Sequence, residues 1–221
     1  MTKPTPQTKS KQRVRDHGEV FTNEREVKAM CDLVADECTR IDSRFLEPAC
    51  GDGNFLAEIL TRKLAVVKHK YGRSAMDYEM QSILALSSLY GVDILHDNVL
   101  ACRLRLFNMW LTAYKTVCKR EPSIDMQKSA QFILQLNIVC GNALTLKCVD
   151  DNATDTADDI VFSEWAFITG TKLQRKDYTF AYLLAQESDA TAQQQTFLTQ
   201  DDEGILLKQY ICDYRRIWQN G

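Results

Sequence analysis

The stretch FLEPACGDGNFL, residues 45–56, constrains the fold more than any other part of the chain. A short apolar run ends at Glu47, glycines follow at 51 and 53, and apolar residues then recur at helical spacing. Glycine permits positive φ and a close approach of ligand to backbone. The segment reads as strand, tight turn and helix, with the free N–H groups of the first helical turn facing whatever the turn holds. A dinucleotide fingerprint would carry a third glycine where Leu56 stands, and the G-K-[S/T] ending of a phosphate loop is also absent. A two-glycine turn also arises simply where a strand reverses into a helix. Its meaning therefore depends on the rest of the chain.

The rest alternates strand and helix. Residues 23–41 carry Val27, Met30, Cys31, Val34, Cys38 and Ile41 at three- and four-residue intervals, which predicts one amphipathic helix. Asn23 is its expected N-cap, with Glu26 completing a capping box. A strand at 44–47 precedes the glycine turn, and a second helix runs from Asn54 to Tyr71. A third helix over 77–89 leads into a buried strand at 90–94. Asp97 or Asn98 is the expected cap of a long helix ending near Cys118. A turn at 121–125, a helix over 126–136 and a strand at 136–141 follow. Alternation of this kind predicts an α/β fold with a parallel sheet flanked by helices, whose strand C-termini share one ligand-binding edge. Three regions follow: an arm over 1–20, an α/β domain over 21–146 and an extension over 147–221. In the extension, 147–159 reads as an acidic loop, 160–168 as a strand, 187–204 as a polar flexible stretch, and ILLKQYICDYRRIW as a terminal helix.

Net charge is −3, so contact with nucleic acid would go through a local patch or a partner. The arm carries Lys3, Lys9, Lys11, Arg13 and Arg15 and reads either as a disordered tail or as a phosphate-touching arm. No apolar stretch suits a signal peptide or membrane span, which gives a cytoplasmic expectation. The eight cysteines form no C-x-x-C pair and read as reduced core residues; neither they nor the three scattered histidines form a metal site.

Two further segments carry ligand chemistry. In YGVDIL, Asp93 ends the second strand, where an acid can accept hydrogen bonds from both hydroxyls of a ribose, and Ile94 and Leu95 can flank an adenine ring. In NIVCGNAL, Asn142 lies just past the third strand and can bond the adenine amine, while Leu144 can cover the ring. Taken alone, Asp93 could equally be a capping or surface acid.

The order VFTNEREV, LEPACGDGNFL, YGVDI, NIVCGNAL resembles the cofactor half of the N6-adenine DNA methyltransferases of restriction–modification systems, in the gamma arrangement where the FT motif comes first. The resemblance covers roughly residues 13–146. It implies a Rossmann-like class I methyltransferase sheet and S-adenosylmethionine as cofactor. It further implies that Phe21, Thr22, Glu47, Pro48, Ala49, Cys50, Gly51, Asp52 and Gly53 hold the methionine end. Asp93 would take the ribose, and Ile94, Asn142 and Leu144 the adenine. Asn142 stands where the family has Asp; its amide oxygen can still accept from the adenine amine, so Asn142→Asp is expected to preserve binding.

The family's catalytic motif, [N/D/S]-P-P-[Y/F], supplies acceptors for the target amine and a ring that stacks on the flipped base. The four prolines are Pro4, Pro6, Pro48 and Pro122, none adjacent to another, so the catalytic residues are not in this sequence. The resemblance then implies an incomplete sheet, completed by a second methyltransferase subunit that carries the catalytic motif and the DNA-reading region. Lys172, Arg175 and Lys176, interleaved with Tyr178 and Phe180, could contact DNA or that partner, or form a solvated loop. Two other readings stay open: a non-catalytic module that binds the cofactor or assembles a complex, and a complete enzyme using Glu164 or Asp177 as base.

Overall fold

Three short strands and the helices between them organise the molecule. The computed structural model describes residues 22–185 and 206–220. The arm 1–20, Phe21 and the stretch 187–204 lie outside the described residues.

The chain opens with α1 (Glu24–Leu33), capped by the Asn23 side chain, which accepts from the Arg25 N–H. It does not continue to residue 41. Val34 leaves helical geometry at φ −122°, and a separate short helix α2 (Ala35–Thr39) follows. Strand β1 (Phe45–Glu47), helix α3 (Asn54–Tyr71), helix α4 (Ala75–Ser87) and strand β2 (Leu89–Asp93) come next. Helix α5 (His96–Cys118) takes Leu95 as its N-cap, so Asp97 and Asn98 lie inside its first turn. Helix α6 (Ile124–Asn137) is capped by Ser123, whose hydroxyl accepts from the Met126 N–H at 3.2 Å, and β3 (Ile138–Asn142) follows directly.

β1, β2 and β3 are parallel neighbours, which matches the expected alternation. Period-two alternation splits their side chains between two cores. Leu89 and Ile138 face a large cluster with α3 to α6, including Leu56, Leu60, Ile83, Leu106, Trp110 and Ile133. Tyr90 and Val92 face the other way and meet Ile160, Phe162 and Phe180. Among the described residues β1 pairs on one side alone, with β2, and its Leu46 is 38% exposed.

The acidic stretch after Leu146 is not a loop. β4 (Lys147–Val149) and β5 (Asp155–Asp159) extend the sheet antiparallel beyond β3, giving the order β1-β2-β3-β4-β5. β5 is almost entirely exposed, so its ladder and the Lys147–Asp159 ion pair at 2.7 Å hold it, not burial. A second sheet of β6 (Val161–Thr169), β7 (Lys172–Thr179) and β8 (Lys208–Asp213) is wholly antiparallel. In place of the expected terminal helix stand strand β8, a turn and one 3₁₀ segment at Ile217–Asn220. A helical segment also runs over 180–185.

Buried charge joins these layers. The Glu79 carboxylate on α4 accepts from the Tyr114 hydroxyl, from the Tyr214 hydroxyl at 2.7 Å and from Arg215 Nε at 2.6 Å, which fastens the C-terminal segment to the helices. Burial pushes its carboxyl up, but those three donors outweigh burial and hold it below the usual range. Lys63 on α3 is fully buried; its ammonium donates to the Ile41 and Ser43 carbonyls and to the Ser88 hydroxyl, joining the approach to β1 to the start of β2. No helix among the described residues is long and apolar enough to cross a membrane.

Candidate functional site at the strand C-termini

The parallel strands place three loops at one edge, and a cleft of about 470 Å³ opens between them. The first loop is the glycine turn. Gly51 has φ +53° and Gly53 φ +87°, the left-handed region where glycine carries no penalty. Cys50 N–H donates to the Val92 carbonyl at 2.9 Å, tying the turn to β2, and Gly53 N–H closes it on the Cys50 carbonyl at 2.8 Å. A Cβ on Gly53 would lie 2.6 Å from Cys102 Sγ on α5, so this glycine serves close packing as well as the turn.

Asp93 is the hub of the site and is 9% exposed. Its Oδ2 accepts from the Gly51 N–H at 2.9 Å, and its Oδ1 from the Leu95 N–H at 2.8 Å and Asn98 Nδ2 at 3.2 Å. One carboxylate thus locks the glycine turn, the end of β2 and the first turn of α5 together. A carboxylate offers about four acceptor sites, and three are taken by the protein. That leaves room for one further hydrogen bond, where the sequence suggested two.

Glu47, at the end of β1, also lines the cleft; burial raises its carboxyl above the usual range, and the Ala49 N–H partly offsets this. Asn54 and Phe55, the first residues of α3, line it too, so the positive end of that helix faces the opening. The third loop contributes Gly141, Asn142, Ala143 and Leu144. Asn142 makes an Asx turn, its Oδ1 accepting from the Leu144 N–H at 3.0 Å, and its Nδ2 donates to Asp155 Oδ1 on β5 at 3.1 Å. Leu144 is 95% exposed at the rim.

The cleft therefore gathers Thr22, Glu47, Pro48, Ala49, Cys50, Gly51, Asp93, Ile94, Asn142 and Leu144 from the residues expected on sequence grounds. Asp52 and Gly53 do not line it. The Asp52 carboxylate turns away toward Arg105 Nη1 at 3.5 Å, and Arg105 also donates to Asn54 Oδ1 at 2.7 Å, bracing the turn from behind. Asn98 was missed as a site residue because an asparagine in the first turn of a helix reads as a cap. Arg105 gave no signal, since it lies 51 residues beyond the Asn54 that it holds.

Other expected contacts lie elsewhere. Arg175 is buried and bidentate to Asp177, with both bonds at 2.7 Å, so it is withdrawn from any DNA or partner surface; Lys172 is exposed and Lys176 half-buried on the same strand. Asp177 is 3% exposed and also accepts from the Ser163 hydroxyl, and Glu164 pairs with Arg44. Neither acid lines the cleft.

The residues fit an adenosine-containing cation. A half-buried carboxylate at Glu47 suits a positive charge, a helix N-terminus suits a carboxylate, and Ile94 and Leu144 offer apolar cover for a base. Part of the chain aligns, at 33% identity over 123 aligned positions, with a putative type II restriction enzyme and methyltransferase of Methanocaldococcus jannaschii. That portion is 53% of this chain and 10% of the relative, so the chain spans about a tenth of that protein's length. No solved structure matches the chain significantly. The model of the MmeI DNA-methyltransferase domain matches residues 9–199, and the chain belongs to that family.

Proposed function

We propose that this chain is the S-adenosylmethionine-binding part of a DNA adenine-N6 methyltransferase of a restriction–modification or phage-defence system, built on a Rossmann-like class I sheet. The observation that carries the proposal is the convergence of the glycine turn, Asp93 and the Asn142 loop on one cleft at the C-terminal ends of three parallel strands. S-adenosylmethionine, when bound, supplies an electrophilic methyl group on its sulfonium. Glu47 takes the methionine ammonium, the N-terminus of α3 faces its carboxylate, Asp93 accepts from one ribose hydroxyl, and Ile94 lies against adenine.

The base pocket is not among these residues, because no N-P-P-[Y/F] motif occurs in the sequence. We propose that a second subunit supplies that motif and the DNA-reading region. The edge of β1 is the natural place for added strands: it lies beside the glycine turn, has no partner among the described residues on that side, and carries the exposed Leu46. The missing motif also fits a non-catalytic cofactor-binding module, and one experiment separates the two. The chain is combined with the product of a neighbouring reading frame carrying N-P-P-[Y/F], and DNA is assayed for methylated bases by mass spectrometry. N6-methyladenine formed by the mixture and by neither component alone is the expected result. Methylated cytosine, or methyl transfer by this chain alone, refutes the proposal.

A further inference from the structure

Helices α3 and α5 leave a groove of about 630 Å³ between them, and none of its lining residues lines the cleft at the strand C-termini. Thr61 and Ala65 stand on the α3 wall, Thr112, Ala113 and Thr116 on the α5 wall, and the buried Tyr78 of α4 lines it as well. Three of these residues are threonines, yet the groove is apolar. The hydroxyls of Thr61, Thr112 and Thr116 donate to the carbonyls of Ala57, Asn108 and Thr112, one turn back on their own helices, at 2.8, 2.7 and 2.8 Å. Each hydroxyl hydrogen is thus spent on backbone, and a γ-methyl is what each threonine has left to offer. Leu104, one turn before Asn108 of the α5 wall, is 61% exposed and extends the apolar surface. The outer face of a solvated helix is ordinarily polar, and a continuous apolar surface there marks an interaction site.

We propose that this groove receives an amphipathic helix of a partner protein, one that carries acidic residues beside its apolar stripe. Length, spacing and charge point to that occupant. The α5 wall runs from Arg105 to Val117, about 18 Å at 1.5 Å per residue, which matches about three helical turns. Packed helices lie about 8–10 Å apart, and the closer spacing needs small residues such as Ala65 and Ala113 at the contact. The charge is one-sided: Lys68 and Arg105 line the groove, and no acid does. The bonds of Arg105 to Asn54 and Asp52 all run from Nη1, so the guanidinium keeps donors for a carboxylate. A basic helix would set like charges against both cations. Nucleic acid would set its phosphates against methyl groups.

The test is fluorescence anisotropy with the purified chain and two labelled helical peptides of about 14 residues. Both carry leucines at i, i+3, i+4 and i+7; the remaining positions are Glu and Gln in one and Lys and Gln in the other. Wild type is expected to bind the acidic peptide saturably, and at least about tenfold more tightly than the basic one. Lys68→Glu is expected to cut that preference by about threefold or more. Thr112→Glu sets an acid in the apolar wall at an exposed helical position, and is expected to weaken the acidic peptide at least about tenfold while the circular dichroism spectrum stays that of wild type. Lack of binding, equal affinity for the two peptides, or binding that neither substitution moves overturns the proposal. A wild-type dimer in sedimentation velocity that Thr112→Glu dissociates also overturns it, because a second copy then fills the groove. None of these readouts involves the cofactor, so the proposal stands or falls apart from the cofactor site.

Discussion

Replacing Asp93 by alanine tests whether one carboxylate holds the cleft together. The side chain anchors Gly51 N–H, Leu95 N–H and Asn98 Nδ2, at 2.9, 2.8 and 3.2 Å. A hydrogen bond to a charged group contributes about 1.5–3 kcal/mol, and a donor left buried without a partner costs about 1–3 kcal/mol. The simple sum overstates the loss, because Gly51 and Leu95 line the cleft, where water can replace the carboxylate for their N–H groups. Asn98 lines the same cleft but is only 1% exposed, so water replaces less of its lost bond. A loss of about 3–4 kcal/mol is the resulting figure. Urea unfolding followed by circular dichroism measures it, with the denaturant slope as a check that the variant remains two-state. The same variant is expected to bind S-adenosylmethionine at least about tenfold more weakly, since both the turn and a ribose contact are lost. A variant within about 0.5 kcal/mol of wild type would show that the turn holds without Asp93 and refute this account of it.

Four further outcomes follow from local geometry. Gly53→Ala is expected to cost about 2–4 kcal/mol in urea unfolding, from positive φ and a clash with Cys102, and Cys102→Ala in the same chain should recover part of it, whereas Cys102→Ser should not. The lowered Glu79 carboxyl contributes stability above its unfolded-state value, and that stability fades as pH falls through the lowered folded-state value; Glu79→Gln should be less stable at neutral pH and lose less on acidification, as read by melting temperature against pH. Burial lowers the Lys63 ammonium to about 8, so between about 8 and 10.5 the unfolded state binds more protons; stability relative to a Lys63→Met variant should rise with pH across that window. Asn142→Asp, which sequence alone suggested would be tolerated, sets two carboxylates side by side with Asp155; calorimetry should show weaker cofactor binding, restored when Asp155→Asn is added.

The parallel strands and the helices packed on them were legible because burial imposes a period on the sequence. β2 is buried along its whole length and reads as an unbroken apolar run closed by Asp93. The glycine turn was legible because few residues tolerate its backbone. The β4–β5 hairpin was not legible: Asp155–Asp159 is acidic and exposed, a composition that argues for a loop, and it is a strand because β4 supplies its ladder. β8 misled in the other direction, since Tyr210, Ile211 and Tyr214 fall at helical spacing while the real constraint is pairing with β7. Arg175 and Asp177 stand two residues apart, hence on one face of a strand, so their ion pair was readable once that stretch was taken as a strand instead of a loop. The Asn142–Asp155 contact lay beyond reach from sequence, because only the antiparallel ladder brings the two residues together.

The central claim is that the cleft at the ends of β1, β2 and β3 holds S-adenosylmethionine. Calorimetric titration of the purified chain with S-adenosylmethionine and its demethylated product, beside Asp93→Ala as control, tests it most directly. The account predicts saturable one-to-one binding in the micromolar range for wild type, and a loss of at least about tenfold in the variant. Absence of heat for both ligands with folded wild-type chain, or equal affinity in the variant, would contradict it.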